Sequence, residues 1–288
     1  MNQKKLTYWN NRISIIADSY FPGSASFRRI ELAKRFISKM QRQGKFDSVL
    51  DCGCGTGYSL ETLGPLFANS FGCDISEKML KIIRKNSSLT NLPNLFIWDI
   101  CQPFPIKDWQ HVDVITLFSV LPYIEDWTPF FKELKKVLRP GGAFIATFPN
   151  KLFDMYSLNT LTASFFSQEL IDKSLSKEIG KEGMTELNEL FSGRSPKFKE
   201  ESAYSAPSLC FKRLNPLTIT SELSEYDIHV DEIYFMNNHP IPPSMQTFND
   251  EEITAIRLER ELDLNYSHWS QFFTNSTFMV LGEYQPIT

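Results

Sequence analysis

The stretch Val49 to Gly57, V-L-D-C-G-C-G-T-G, decides the fold. An apolar strand, Ser48-Val49-Leu50, runs into Asp51. Glycines follow at alternate positions, Gly53, Gly55 and Gly57, and a helical segment is expected from Tyr58 to Ala68. Glycine lacks a Cβ, so it takes positive φ and lets a ligand approach the backbone. A strand, a tight glycine turn and a helix start together form the ligand-binding corner of an open α/β sheet. The dinucleotide fingerprint spaces its glycines G-x-G-x-x-G. Here the third glycine comes one residue early, no basic residue lies in the turn, and no G-x-x-x-x-G-K-[ST] loop exists for a triphosphate. The turn suits a ligand without phosphate.

Further strands and acids follow at matching intervals. Ser70 to Cys73 reads as a second strand ending in Asp74, about 20 residues beyond the glycine turn, where a carboxylate can bind both hydroxyls of a ribose. Phe96-Ile97-Trp98 reads as a third strand closed by Asp99 and Ile100. A fourth is expected from Val112 to Leu121, followed by Pro122-Tyr123. Phe130, Phe131, Leu134 and Leu138 have helical spacing and predict a helix from Trp127 to Leu138. Arg139-Pro140-Gly141-Gly142 reads as a turn before strand five, Ala143 to Phe148.

This order of motifs, the glycine turn behind Asp51, the acid Asp74, the acid Asp99 and L-R-P-G-G before a strand, resembles the class I S-adenosylmethionine-dependent methyltransferases. The resemblance covers residues 48 to 148, about a third of the chain, and specifies the cofactor rather than the acceptor. It implies S-adenosylmethionine as cofactor. Asp51, Gly53, Cys54, Gly55 and Gly57 would form its loop, and Asp74 would hold the ribose. Ile75 and Met79 would pack on the adenine, Asp99 and Ile100 would border it, and Phe118 completes the set.

Composition permits one large core or two domains: 288 residues, 42% hydrophobic. Net charge is only −4, with no broad nucleic-acid signal. Residues 221 to 288 carry a local net of −10 and residues 1 to 220 a net of +6. An acidic C-terminal portion would repel phosphate backbones if it borders the site; an ordinary solvated acidic face is the plainer reading. No run of 18 apolar residues occurs, so no transmembrane helix is expected. The N-terminus lacks the apolar core of a signal peptide. Five cysteines without framework spacing fit a reducing cytoplasm. No metal-binding motif is present, and Cys52 and Cys54 read as small side chains near a ligand.

The expected organisation is an N-terminal cap segment and helix over 1–44, a cofactor-binding core over 45–150, a lid insertion over 151–212, and completion of the sheet over 213–288 with a second insertion at 237–270. Residues 1 to 26 read as irregular and aromatic-rich. Residues 27 to 43 read as a helix with Ile30, Ala33, Phe36, Ile37 and Met40 on one face, stopped by Gly44. Lys173 to Glu201 is rich in charge. The core is expected to resume at Asn215, with a helix from Leu217 to Leu223, strand six from Ile228 to Met236 and strand seven from Thr274 to Tyr284. Asn249 with Glu252 forms a capping-box pattern for a helix over Asp250 to Leu262. The fold class is therefore α/β: a doubly wound, mostly parallel seven-stranded sheet with helices between the first five strands and helical lid insertions.

Methyl transfer is an in-line displacement in which positioning supplies much of the catalysis. The candidate catalytic residues are Tyr123 and His239. In the family the segment after strand four faces the methyl group, and some sugar N-methyltransferases carry a histidine where this chain has Tyr123. Tyr123 would orient an acceptor, since a phenol with a pKa near 10 is a weak base; packing is its plain alternative. His239 titrates near neutrality and lies in a proline-rich lid candidate. Tyr20 is a candidate to close over the cofactor. Leu121-Pro122-Tyr123-Ile124 lacks the [DN]-P-P-[YF] motif of enzymes that methylate base or glutamine amino groups, and no Pro-Cys nucleophile stands there. The leading expectation is O- or N-methylation of a small molecule, with sugars and secondary metabolites considered, and no nucleic-acid partner. A protein or RNA methyltransferase and a non-catalytic cofactor-binding scaffold are the rivals.

Overall fold

The computed structural model describes residues 3–21, 24–42, 46–86, 92–170, 185–187, 189–191, 210–245, 255–257, 259–260 and 268–286. Seven strands form one sheet: β1 Ser48–Cys52, β2 Asn69–Asp74, β3 Asn94–Ile97, β4 Val112–Phe118, β5 Leu138–Pro149, β6 Ile228–Asn238 and β7 Asn275–Tyr284. Their order is β3-β2-β1-β4-β5-β7-β6. The first five run parallel, and β7 lies antiparallel between β5 and β6. The strand order reverses between β1 and β4, which opens a crevice at their carboxyl ends.

Burial on both faces explains the apolar character of the central strands. Adjacent residues point to opposite sides. Leu50, Ile115, Phe144 and Phe278 join one core with Phe130 and Leu134, while Val49, Val114, Ile145 and Met279 join the other with Ile30, Phe36 and Ile37. The second core is covered by α3, Ala25–Gln41, whose N-cap Ser24 accepts from the Phe27 N–H at 3.1 Å. The helix α4, Tyr58–Leu63, follows β1, and α5, Glu77–Lys85, follows β2. The helix α6, Thr128–Val137, covers the first core between β4 and β5.

Several local expectations are corrected. The described residues within 1 to 26 are not irregular: they hold α1, Gln3–Asn10, and α2, Ile13–Asp18. The helix α4 ends at Leu63, because Pro65 forces a 3₁₀ turn over Gly64–Leu66. The strand β3 starts earlier than expected, and Trp98 leaves it to donate from Nε1 to the Gln102 carbonyl at 2.9 Å. No helix joins β3 to β4. Pro103 and Pro105 interrupt that segment, and Phe104 and Trp109 pack there on Phe96 instead.

The strand β4 stops at Phe118, since Ser119 takes φ 59° and Leu121–Tyr123 form a 3₁₀ turn with proline in its first turn. Arg139 to Gly142 is not a separate turn. It is the start of β5, bulged at Gly141 with φ 71°, where the pairing jumps from Val112 with Leu138 to Val114 with Ala143. The core resumes one residue early, at the Leu214 bridge to Asn150, and the helix after it spans Ile219–Ser224. Gly44, Asn249 and most of the charged stretch from Lys173 lie outside the described residues. So does most of the helix expected over 250–262, of which 255–257 and 259–260 are helical.

Candidate active site

The glycine turn is closed by its neighbouring strand. The N–H groups of Gly53 and Cys54 both donate to the Cys73 carbonyl, at 2.8 and 3.0 Å, and Gly57 N–H donates to the Cys54 carbonyl at 2.9 Å. Gly53 and Gly57 have φ 73° and 95°, and a Cβ on either would lie 2.5 Å from Val120 Cγ2 or 2.7 Å from Ile83 Cγ1. These two glycines are required by packing. Gly55, at φ 53°, is different: a Cβ there would meet only Ile16 and Met79 at 3.8 Å. A Cβ there would make only ordinary contacts, so packing alone does not require this glycine.

Two carboxylates frame this turn. Asp51 is buried and accepts from Thr116 Oγ1 at 2.7 Å and from the Ser59 hydroxyl. Burial pushes its carboxyl up to about 6, against the pull of those two hydroxyls. Asp74, at the end of β2, accepts from Gly55 N–H at 3.0 Å and Ser76 N–H at 2.8 Å. Burial raises its pKa as well, with the backbone donors opposing. Asp99 is half-buried and accepts from Cys101 N–H at 3.2 Å.

A cavity of about 330 Å³ opens over these residues. It brings together Asp51, Gly53, Cys54, Gly55, Asp74, Ile75, Met79, Asp99, Ile100, Phe118 and Tyr123 of the sequence candidates. Gly57 lies outside its lining and serves as the N-cap of α4. The N-terminal segment roofs the cavity through Trp9 of α1, Arg12 in the linker, Ile16 of α2 and Tyr20 beyond it. The roof is pinned: Ser76 Oγ donates to Asn10 Oδ1 at 2.6 Å, and Tyr20 stacks on Tyr58 with ring centres 4.6 Å apart.

His239 is placed elsewhere. It is 8% exposed, packs on Phe153 at 4.7 Å, and its Nε2 lies 3.3 Å from Ser276 Oγ. It does not line the cavity. Burial, with Arg257 and Arg28 adding to it, lowers its pKa to about 3, so it is neutral at working pH and a poor proton acceptor. His239 therefore lies apart from the residues that the cavity brings together. Tyr123 does line the cavity, in edge contact with Trp9 at 4.8 Å and against Phe211 at 5.0 Å.

Trp9, Arg29 and Phe211 are cavity residues that sequence reasoning did not select. Arg29 Nη1 donates to Ser119 Oγ at 2.6 Å. Phe211 is delivered by a strap: Lys212 N–H donates to the Pro122 carbonyl at 2.8 Å and Leu214 N–H to the Pro149 carbonyl at 2.9 Å. The aromatic pair Tyr8-Trp9 was the available signal for the first. Nothing in the local sequence marks the other two.

The donor set fits S-adenosylmethionine. Asp74 retains acceptor capacity of the kind ribose hydroxyls need, and Ile75, Met79 and Ile100 line the same cavity as Asp99 with apolar surface of the kind a purine packs on. The bare backbone at Gly55 leaves room for close approach.

Fold and corner together resemble those of the class I S-adenosylmethionine-dependent methyltransferases, and a third of the chain matches a methyltransferase family model. Residues 50–146 match the family described as "Methyltransferase domain". The chain is 27% identical over 162 residues to a probable S-adenosylmethionine-dependent methyltransferase of Mycolicibacterium smegmatis, covering 55% of this chain and 60% of that protein. It is 30% identical over 94 residues to the ubiquinone biosynthesis O-methyltransferase of Proteus mirabilis, covering 33% of this chain and 38% of that one. The matches thus span less than two thirds of these relatives' own length. Among solved structures, an S-adenosylmethionine-dependent methyltransferase of Mesorhizobium loti shares the fold, with TM-score 0.50 and 16% identity over 86% of this chain and 96% of that one. No helix among the described residues is long and apolar enough to cross a membrane, and no cluster there has the makings of a metal site.

Proposed function

We propose that the chain transfers a methyl group from S-adenosylmethionine to an oxygen or nitrogen nucleophile of a small molecule. The observation that carries this reading is the roof that α1 and α2 form over a cavity of about 330 Å³, within the size range of small-molecule sites. A macromolecular acceptor would call for an open approach to the Tyr123 end. When bound, the cofactor supplies a methyl group already activated on a sulfonium.

The chain's own residues then bind and orient. Asp74 takes the ribose hydroxyls, Asp99 and its apolar neighbours take the purine, and the Gly53–Gly55 backbone lies against the rest. Tyr123 positions the acceptor, buttressed by Trp9 and Phe211. With reactants held in line, positioning alone can supply several kcal/mol of the barrier reduction, roughly 7–11 in the best cases.

The test is label transfer from methyl-labelled S-adenosylmethionine into a cell extract split into small-molecule, protein and nucleic-acid fractions. Label in the small-molecule fraction is the expected result. Label confined to protein or RNA would overturn the acceptor class.

A further inference from the structure

Asp154 is a buried carboxylate outside the cavity. It lies in α7, Phe153–Tyr156, is 6% exposed and takes no part in the cavity lining. Its helix is set firmly on the end of β5. Asn150 Nδ2 donates to the carbonyls of Phe272 and Asn275 at 2.8 and 2.7 Å, and Asn150 Oδ1 accepts from the Leu152 N–H at 3.0 Å. The Asp154 carbonyl accepts from the hydroxyls of Ser157 and Thr162 at 2.8 and 2.7 Å. Burial raises the Asp154 carboxyl to about 7, against the pull of Arg213 and Lys151. Lys151 pairs with Glu169. Arg213 meets the carboxylate directly, its Nη1 donating to Asp154 Oδ2 at 3.3 Å.

Arg213 belongs to the strap that carries Phe211 into the cavity. Besides its bonds to Pro122 and Pro149, the strap accepts from the Lys151 N–H at the Leu214 carbonyl, at 2.9 Å. Leu214 forms a parallel bridge with Asn150, and in extended chain alternate side chains share a side. Lys212 goes one way: its Nζ donates to the Glu125 carbonyl and stands 5.3 Å over the Trp127 ring. Phe211 and Arg213, two residues apart, meet Tyr123 and Asp154. A shift of the Arg213 side chain therefore carries Phe211 with it.

We propose that Asp154 is a positioning residue: through Arg213 it fixes the strap with Phe211 against Tyr123, and so sets the fit of an acceptor it never touches. This rests on the small-molecule reading above, which puts the acceptor at the Tyr123 end. A buried ion pair adds little net stability over apolar side chains of the same volume. What it adds here is direction, because a guanidinium N–H has to stay in reach of one carboxylate oxygen. A wall displaced by about 1 Å misplaces the reacting atom, an error that costs roughly a hundredfold in rate.

The test compares the full chain with Asp154→Asn, Arg213→Gln and the double variant, each saturated with S-adenosylhomocysteine. Hydrogen exchange is read residue by residue at the amides of Lys212 and Leu214, with β4 as internal reference. Each single variant is expected to exchange at least tenfold faster at both strap amides with β4 unchanged. The double variant should exchange no faster than the faster single, since the pair acts as a unit. Arg213→Lys keeps the charge and should stay within threefold of the parent chain. Arg213→Gln decides the matter where Asp154→Asn fails to fold, because the carboxyl left behind can take a proton. In label transfer, the dilution of the small-molecule extract that halves the rate should shift at least fivefold in either single variant, with the KM for S-adenosylmethionine within twofold. Unchanged strap exchange, acceleration shared by β4, additive effects in the double variant, or a rate loss that follows the S-adenosylmethionine KM overturns the proposal. Label from the parent chain only in macromolecules overturns the small-molecule reading, and the exchange result still decides the strap.

Discussion

Ser76 joins the cofactor corner to its roof: its hydroxyl donates to Asn10 Oδ1 at 2.6 Å while accepting from the Met79 N–H at 3.2 Å. One side chain thus caps α5, adjoins the Asp74 loop and holds the end of α1. Through this bond the position of the roof depends on the integrity of the β2 end, 66 residues away in sequence.

Asn10→Ala removes the roof's hydrogen bond while leaving the Ser76 cap in place. A net hydrogen bond of about 1 kcal/mol corresponds to roughly fivefold in affinity. S-adenosylhomocysteine should bind about fivefold more weakly by calorimetry, with little change in melting temperature. Unchanged affinity would mean that the roof contributes nothing to retention.

The two glycine types should separate. Gly57→Ala places a Cβ 2.7 Å from Ile83 Cγ1 at φ 95°, which should cost about 1–3 kcal/mol of stability and show in urea unfolding. Gly55→Val meets no crowded neighbour but projects its side chain where the backbone is open. At φ 53° the branched side chain strains the backbone, so the variant should lose about 1–3 kcal/mol of stability and bind cofactor at least tenfold more weakly. A folded Gly55→Val protein with normal affinity would place the ligand away from this turn.

His239 makes a prediction about pH and stability. Its folded pKa is about 3 against an ordinary 6.5. Between those values the unfolded chain binds a proton that the folded chain lacks, so stability is complete above about 6.5 and is lost as pH falls toward 3. The span is on the order of a few kcal/mol. Asp51, raised to about 6, and Asp154, raised to about 7, act in the opposite sense. Both remain in His239→Gln. That variant should lose less melting temperature than the parent between pH 7 and pH 4, and should keep turnover at pH 7.5 within threefold. Turnover reduced a hundredfold would restore His239 to the chemistry.

The sheet, the glycine turn and the strand-end acids were legible in sequence because each is local. A strand, a positive-φ turn and a strand-end acid each leave a mark within a few residues, as at Asp51 to Gly57 and Asp74. The roof was not legible. The helices α1 and α2 are short and have no buried residues; contacts far apart in sequence, such as Asn10 to Ser76, hold them. Phe211 reaches Tyr123 only because residues 212–214 bond to Pro122 and Pro149 across the fold. His239 misled for the converse reason. A proline-rich loop suggests exposure, yet β6 continues to Asn238 and carries the ring inside.

Tyr123→Phe keeps the ring that contacts Trp9 and Phe211 and removes only the hydroxyl. If the hydroxyl orients the acceptor, kcat should fall about tenfold while S-adenosylhomocysteine affinity stays within twofold. Steady-state kinetics beside calorimetry would separate the two. Unchanged kcat would leave Tyr123 as a packing residue.

The most direct test of the central claim is calorimetric titration of S-adenosylhomocysteine into the wild-type chain and into Asp74→Ala. Hydrogen bonds to a charged group are worth about 1.5–3 kcal/mol each. The account predicts a single site in the wild type and affinity at least tenfold weaker in the variant, beside a lower melting temperature as the Gly55 and Ser76 N–H groups lose their acceptor. No binding to the wild-type chain, or equal affinity for both proteins, would contradict it.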